Sequence, residues 1–142
     1  MKPKLILAGI MVATSLFLLA CSPTAKQASV EVSCDDFYSR NHISREVEVA
    51  LGDSLIVTLC SNPTTGFTWL DSAQIGDRTV LQQTSHEFIS PEETGVVGAP
   101  GKDVWTFKAL KKGTTEVSME YSRPWEGGEK RAWTFNLTVV VK

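Results

Sequence analysis

The chain has 142 residues, of which 14 are Lys or Arg and 16 are Asp or Glu, so its formal net charge is −2. This balance, without a long run of either sign, disfavours nucleic-acid binding and electrostatic attachment to membranes. The length is sufficient for one domain with a substantial hydrophobic core.

The first 21 residues have the layout of an export signal. Lys2 and Lys4 precede an uncharged apolar run over residues 5–20, which is the order of the basic and apolar regions in a secretory signal. The run is shorter than the roughly 20 residues that a membrane-spanning helix needs. This disfavours the alternative, an apolar anchor that is never cleaved.

The apolar run ends in LLAC, with Cys21 last, and this sequence resembles the lipobox of bacterial lipoproteins. The resemblance implies cleavage before Cys21 and acylation of its sulfur and new amino group, with fatty acids such as palmitate. Several acyl chains anchor a protein firmly. Ser22, rather than Asp, at the next position implies sorting to the outer membrane of a diderm bacterium.

The expected organisation is therefore a lipoprotein signal over 1–21, a small polar tether over 22–29 and one folded domain over 30–142. The expected location is the cell envelope, with the domain facing the periplasm or the cell surface.

Two cysteines remain if Cys21 carries the lipid. A pair such as Cys34 and Cys60 in an exported protein favours a disulfide. The bridge would close a loop of about 27 residues, which is worth roughly 3–4 kcal/mol of stability. The alternative is two buried free thiols.

From Val30 onward, apolar residues recur at every second position, which is typical of strands with one buried face. The segments at 47–51, 55–59, 105–109, 117–121 and 133–141 show the pattern, and turn sequences such as IGDR and KKGT separate them. No segment has a strong helical period. Short strands at near-regular spacing predict an all-β fold, an immunoglobulin-like antiparallel β-sandwich of seven to eight strands.

Three connections, over 62–67, 90–103 and 122–130, are longer and more particular than hairpins need. They follow the second, fourth and sixth predicted strands, and in a Greek-key sandwich such loops lie at the same end. The sequence therefore predicts that they form one surface.

The first loop has a restrained backbone and polar side chains. Pro63 fixes its own backbone and pushes Asn62 to an extended conformation, while Gly66 tolerates positive φ. Thr64 and Thr65 lie between them with exposed hydroxyls. A preordered loop loses little entropy on binding, although an ordinary turn is an alternative for this segment alone.

The other two loops carry different signals. Gly95 and Gly98 allow close approach of a partner to the backbone, and Val96 and Val97 either face solvent or pack inward.

In the third loop, Arg123 and Pro124 precede Trp125. A rigidly held exposed Trp is a typical interface anchor, whereas a Trp folded onto the core is the alternative.

Catalytic signals are weak. His42 and His86 are isolated, no G-x-S-x-G elbow occurs, and the cysteines and histidines lack metal-binding spacing. We therefore expect neither an enzyme nor a metal or other cofactor.

The segments NPTTGFTW, VVGAPGKDVWTF and RPWE resemble, in this order, the chagasin-type inhibitors of papain-like cysteine proteases. The resemblance implies an immunoglobulin-like sandwich that acts as a reversible, non-covalent wedge in a 1:1 complex. The first loop would lie over the catalytic Cys–His pair of the protease, with the other two beside it. The implied protease-binding residues are Asn62, Pro63, Thr64, Thr65, Gly66, Phe67, Gly95, Val96, Val97, Gly98, Arg123, Pro124 and Trp125.

One alternative function is an envelope lipoprotein whose sandwich binds a non-protease protein or a glycan. A glycan-binding face would carry several exposed aromatic side chains, whereas the inhibitor needs the three loops on one rim.

Overall fold

The computed structural model describes residues 26–92 and 96–142, so Cys21 and Gly95 lie outside the described residues. The elements are β1 (Gln27–Val32), α1 (Cys34–Ser39), β2 (His42–Val49), β3 (Ser54–Ser61), a 3-10 helix (Pro63–Thr65), β4 (Thr68–Trp69), β5 (Gln74–Ile75), β6 (Leu81–Ile89), β7 (Gly101–Ala109), β8 (Gly113–Ser122) and β9 (Trp133–Val141). In the described part of the chain, no helix is long and apolar enough to cross a membrane.

The strands form two sheets. One has the order β1-β3-β7-β6, and the other has the order β2-β9-β8-β4, with β5 also paired to β8. The β-sandwich predicted from the alternation is confirmed. The described part of the chain has nine strands, because β4 and β5, with two residues each, add to the longer ones.

The core lies between the sheets. The alternating positions of β3 place Leu55, Val57 and Leu59 in full burial, and Trp105 and Phe107 of β7 face the same interior. Fully burying such a side chain contributes about 1.5–3 kcal/mol. Every residue of the core cluster lies between Val32 and Val141, so a chain that begins at Ser22 retains the complete core.

The strand directions correct one part of the prediction. β1 pairs with β3, and β2 with β9, in parallel register, whereas the prediction was antiparallel throughout. The reason is physical: alternation reports which face of a strand is buried, and it carries no information on the direction of the neighbouring strand.

The helix α1 was not expected. It has only six residues, too few for a periodic pattern, but Ser33 and Asp36 form a capping box at its start. Cys34 begins this helix and forms a disulfide with Cys60 near the end of β3, with Cα atoms 5.0 Å apart. The predicted disulfide is therefore confirmed, and the alternative of two free thiols is wrong.

Two boundaries differ from the prediction. β1 begins at Gln27, so residues 27–29 of the predicted tether belong to the folded domain, because they pair with the start of β3. Leu51, assigned by alternation to the buried face of its strand, is 47% exposed. It lies in the turn that follows β2, where the alternation ends.

The sandwich has two distinct ends. At one end, which we call the loop end, β3 finishes beside the start of β7, and β8 finishes beside β4. At the other end, the base, the start of β3 meets the end of β7, and the start of β8 meets the end of β9. The base comprises Lys26, 48–53, 76–80, 108–113 and Lys142.

Candidate functional site

The loop end brings together the described parts of all three unusual loops. We call the surface formed by residues 62–67, 96–100 and 123–130 the loop rim. Asn62 Nδ2 donates a hydrogen bond of 2.9 Å to the carbonyl oxygen of Gly98, which joins the first loop to the second. A guanidinium nitrogen of Arg123 lies 3.5 Å from the carbonyl oxygen of Thr65, which joins the first loop to the third.

The first loop is held by its own polar groups. Pro63–Thr65 form a single 3-10 turn, and Gly66 closes it with φ of 81°. The hydroxyls of Thr64 and Thr65 donate to Asn62 Oδ1 at 2.6 Å and to the Asn62 carbonyl oxygen at 2.7 Å. Both hydroxyl protons are thus used inside the loop, and the exposed threonines offer a partner their methyl groups and oxygen lone pairs.

A buried tyrosine supports this loop from below. The Tyr121 hydroxyl accepts a hydrogen bond of 2.8 Å from the backbone N–H of Asn62. Burial raises the pKa of Tyr121 above its ordinary value, so the hydroxyl stays protonated at neutral pH. The alternation placed Tyr121 in the core, but it gave no sign of this contact with the loop.

Phe67, which the resemblance implied as a protease contact, lies at the inner side of the rim. It is only 7% exposed; its ring stacks on Tyr121 and meets the edge of Trp133. Its apolar ring is drawn into the core, where it supports the rim from beneath.

The second loop presents two valines to solvent. Val96 is exposed and Val97 is fully exposed, so the alternative in which they pack inward is wrong. Gly98 adopts φ of 81°, a left-handed conformation that favours glycine. The turn aims the Gly98 carbonyl at Asn62 and leaves the valines free at the surface.

The third loop is organised around Trp125, which is 51% exposed. Its ring lies against Gly66, where an added Cβ would come within 2.6 Å of the indole. The Arg123 guanidinium lies 4.4 Å from the centre of the Phe67 ring and 6.0 Å from that of Trp125. The alternative of a Trp folded onto the core is therefore wrong: Trp125 stays at the surface, held by its contacts with Gly66 and Arg123.

Lys130 fixes the turn of the third loop. Its ammonium group donates to the carbonyl oxygens of Arg123 and Trp125, at 2.5 and 2.8 Å. Sequence reasoning did not single out Lys130, because only the folded turn shows which carbonyls it reaches.

The other tryptophans and the histidines lie off the rim. Trp69 and Trp105 are buried and Trp133 is partly buried; for Trp105 and Trp133 this agrees with the alternation of their segments. His86 forms a hydrogen bond of 2.7 Å with Asp103 and stacks on Trp105, and His42 contacts Thr134. His86 therefore packs against the sheet, whereas His42 is exposed at the surface.

The chain is similar to known peptidase inhibitors. The profile described as "Chagasin family peptidase inhibitor I42" matches residues 48–139. Amoebiasin-2 from Entamoeba histolytica is 30% identical over 115 residues, which cover 77% of this chain and 92% of that protein. Chagasin from Trypanosoma cruzi is 28% identical over 92 residues, which cover 63% of this chain and 82% of that protein.

Two solved structures share the fold. The crystal structure of the cysteine protease inhibitor EhICP2 from Entamoeba histolytica superposes with a TM-score of 0.65 and 24% identity, covering 85% of this chain and all of that one. PbICP-C in complex with falcipain-2 gives a TM-score of 0.58 at 15% identity, covering 81% and 99%.

The family match over residues 48–139 and the 30% identical relative define the class of this chain as a peptidase inhibitor. More specifically, the chain belongs to the chagasin family of peptidase inhibitors.

Proposed function

We propose that the protein is a reversible, non-covalent inhibitor of papain-like cysteine proteases and that the loop rim is its contact surface. The observation that carries the proposal is the hydrogen-bonded convergence of three loops, far apart in sequence, at one end of the sandwich. Family membership and the complex of PbICP-C with falcipain-2 support the same partner class.

The chemistry of the rim favours non-covalent occlusion of the protease cleft over covalent inhibition. The described rim residues include neither Cys nor His, and the threonine hydroxyls donate within their own loop. Affinity must then come from fit. A rim that is already ordered loses little entropy on binding, and the half-exposed Trp125 supplies an apolar anchor.

In this proposal the first loop, Asn62–Gly66, covers the catalytic Cys–His pair. Val96, Val97 and Gly98 lie on one side of it, and Arg123 to Trp125 lie on the other. We place Gly95 in the second loop on the sequence alone. The protein acts as a monomer in a 1:1 complex.

The test is a titration of residues 22–142 against papain with a fluorogenic peptide substrate. Stoichiometric loss of activity, with full recovery after dilution and competition by excess substrate, is expected. Absence of inhibition by a protein with a folded β-rich circular dichroism spectrum would refute the proposal. It would favour the alternative of an envelope protein that binds a different partner.

No observation favours a glycan-binding face at the rim. Among its described residues, Trp125 is the one exposed aromatic side chain, since Phe67 is buried.

We also propose that Cys21 is lipidated and that the protein is anchored in the cell envelope, at the outer membrane. The LLAC sequence and Ser22 support this. Labelling of cells that express the full chain with a palmitate analogue should mark the wild-type protein and not the Cys21→Ser variant. Equal labelling of both would contradict lipidation at Cys21.

A further inference from the structure

The charges of this acidic domain are distributed unevenly between its two ends. The base carries six basic side chains and three acidic ones, although the whole chain has a net charge of −2. The basic residues are Lys26, Arg78, Lys108, Lys111, Lys112 and Lys142; the acidic ones are Glu48, Asp53 and Asp77. The rest of the domain therefore carries the acidic excess, while the described residues of the loop rim are neutral, with Arg123 and Lys130 against Glu126 and Glu129.

Part of this positive charge is free to act on a partner. In the described part of the chain, Lys26, Arg78 and Lys112 form no ion pair, whereas Lys142 pairs with Glu48. Hydrogen bonds from Thr79, with a smaller contribution from Lys111, lower the pKa of Asp77. Asp77 is thus charged at neutral pH and offsets part of the charge of Lys111.

Two exposed leucines lie among these cations. Leu51 and Leu110 are each 47% exposed, in turns at the tip of the base. Exposed leucines in turns that also carry lysines suit the interfacial region of a bilayer. There the apolar groups enter the headgroup layer, and the cations contact anionic phosphates.

The turns that carry these residues are tied together. Leu51 N–H donates to the carbonyl of Lys142 at 2.9 Å, Gly52 N–H to that of Ala109 at 3.0 Å, and Leu110 N–H to that of Val80 at 2.8 Å. The base is therefore one preordered surface rather than separate flexible turns, so little entropy is lost when it docks.

The chain also enters the fold at this end. β1 begins at Gln27, which pairs with Ser54 at the base. The predicted lipid site, Cys21, lies five residues before Lys26, and five extended residues span at most about 17 Å. A lipid on Cys21 would hold the base, and not the rim, against the membrane.

We propose that the base is a docking surface for an anionic phospholipid bilayer, which orients the domain with its loop rim away from the membrane. The strands separate the two ends by about 30 Å. At physiological salt the Debye length is about 8 Å, so the acidic excess outside the base is screened from the bilayer while the basic end is not. The net charge alone, which disfavours membrane attachment, misses this segregation.

The test uses residues 22–142, without the lipid, in sedimentation with vesicles of phosphatidylcholine alone or mixed with phosphatidylglycerol. Binding is expected to the mixed vesicles at low salt, and it should be lost at high salt and with phosphatidylcholine alone. Failure to bind phosphatidylglycerol vesicles at low salt would overturn the proposal.

Charge reversal at the base supplies the matched comparison. Lys111→Glu with Lys112→Glu should weaken vesicle binding at least about 30-fold, because each lysine near an anionic surface strengthens binding about fivefold. Arg40→Glu with Arg45→Glu makes the same change in net charge outside the base and should weaken binding much less. Equal losses in the two variants would overturn the proposal, because net charge rather than the base would then govern binding.

A fluorophore tests the orientation. A polarity-sensitive dye on Leu110→Cys should shift to the blue with mixed vesicles, and the same dye on Glu126→Cys at the rim should not. A shift at Glu126 alone would overturn the proposal.

Papain separates this proposal from the inhibitory function. It should sediment with the vesicles only when the protein is present, because rim and base are at opposite ends. Vesicle binding without recruitment of papain would count against the inhibitor, not against the base; release of the protein from vesicles by papain would overturn the orientation.

Discussion

The two ends of the sandwich are built from similar parts, and they differ in how these parts contact one another. Each end has a glycine with positive φ, Gly66 at the rim and Gly52 at the base. Each also has a large apolar side chain that is about half exposed, Trp125 at the rim and Leu110 at the base. At the rim these features touch each other, because the indole lies against Gly66, whereas nothing lies within 4 Å of a Cβ added to Gly52.

The comparison indicates what makes a set of loops a binding surface. A glycine and an exposed apolar group occur at both ends, and hydrogen bonds join the turns at both. At the base the joining bonds come from backbone N–H groups, whereas at the rim the side chains of Asn62 and Arg123 join the three loops. Three of the four variants proposed here therefore pair a change at the rim with the corresponding change at the base, and the fourth removes the disulfide that lies next to the rim.

The largest effect is expected from the disulfide, which joins α1 to the end of β3 just before the rim. Replacing Cys34 and Cys60 together by Ser should lower the free energy of unfolding by about 3–4 kcal/mol, as measured by urea denaturation. A loss below about 1 kcal/mol would show that the bridge constrains little, since typical bridges contribute more.

Gly66→Ala should weaken inhibition of papain about 100-fold, because its Cβ displaces the Trp125 ring, and a well-packed anchor is worth about 2–4 kcal/mol. Gly52→Ala is the control. Both variants adopt a strained positive φ that costs about 1–2 kcal/mol of stability, but Gly52→Ala should inhibit as the wild type does. Similar inhibition constants for the two variants would argue against a role for the rim.

Trp125→Ala should weaken inhibition about 30-fold, which corresponds to about 2 kcal/mol for an interface anchor. Its free energy of unfolding should change little, because the side chain is half exposed. Leu110→Ala removes a similarly exposed apolar group from the base, and its inhibition constant should stay unchanged. An effect of Leu110→Ala equal to that of Trp125→Ala would mean that the base also contacts the protease.

The smallest change is expected from Lys130→Met, which removes two hydrogen bonds to backbone carbonyls of the third loop. Charged hydrogen bonds contribute about 1.5–3 kcal/mol when intact, but Lys130 is exposed, so we expect inhibition to weaken only about threefold to tenfold. Lys111→Met should have no effect on inhibition. Unchanged inhibition by Lys130→Met would show that the turn holds its shape without the ammonium group.

The sequence was sufficient to predict the sandwich and the meeting of its loops, because both depend on patterns that a linear chain displays. Alternation identified Val57 and Trp105 as core residues, and the order of the strands placed the three loops at one end. The clustering of basic side chains at the base could not be predicted, because Lys26, Lys112 and Lys142 are far apart in the chain.

Other features depend on contacts that only the folded chain shows. The parallel pairing of β1 with β3 and of β2 with β9 does not affect the alternation, and α1 is too short to show a helical period. The support of Asn62 by Tyr121 and the burial of Phe67 follow from packing across the two sheets. A motif that places Phe67 next to Gly66 gives no indication that the ring faces inward.

The most direct test of the central claim is hydrogen exchange of residues 22–142 alone and in complex with inactivated papain. We expect protection on binding to be confined to the loop rim, at 62–67, 96–100 and 123–130, with the turns at 50–53 and 110–113 unchanged. Protection at the base turns, or along β6 with the rim unaffected, would contradict the claim that the three joined loops are the inhibitory surface.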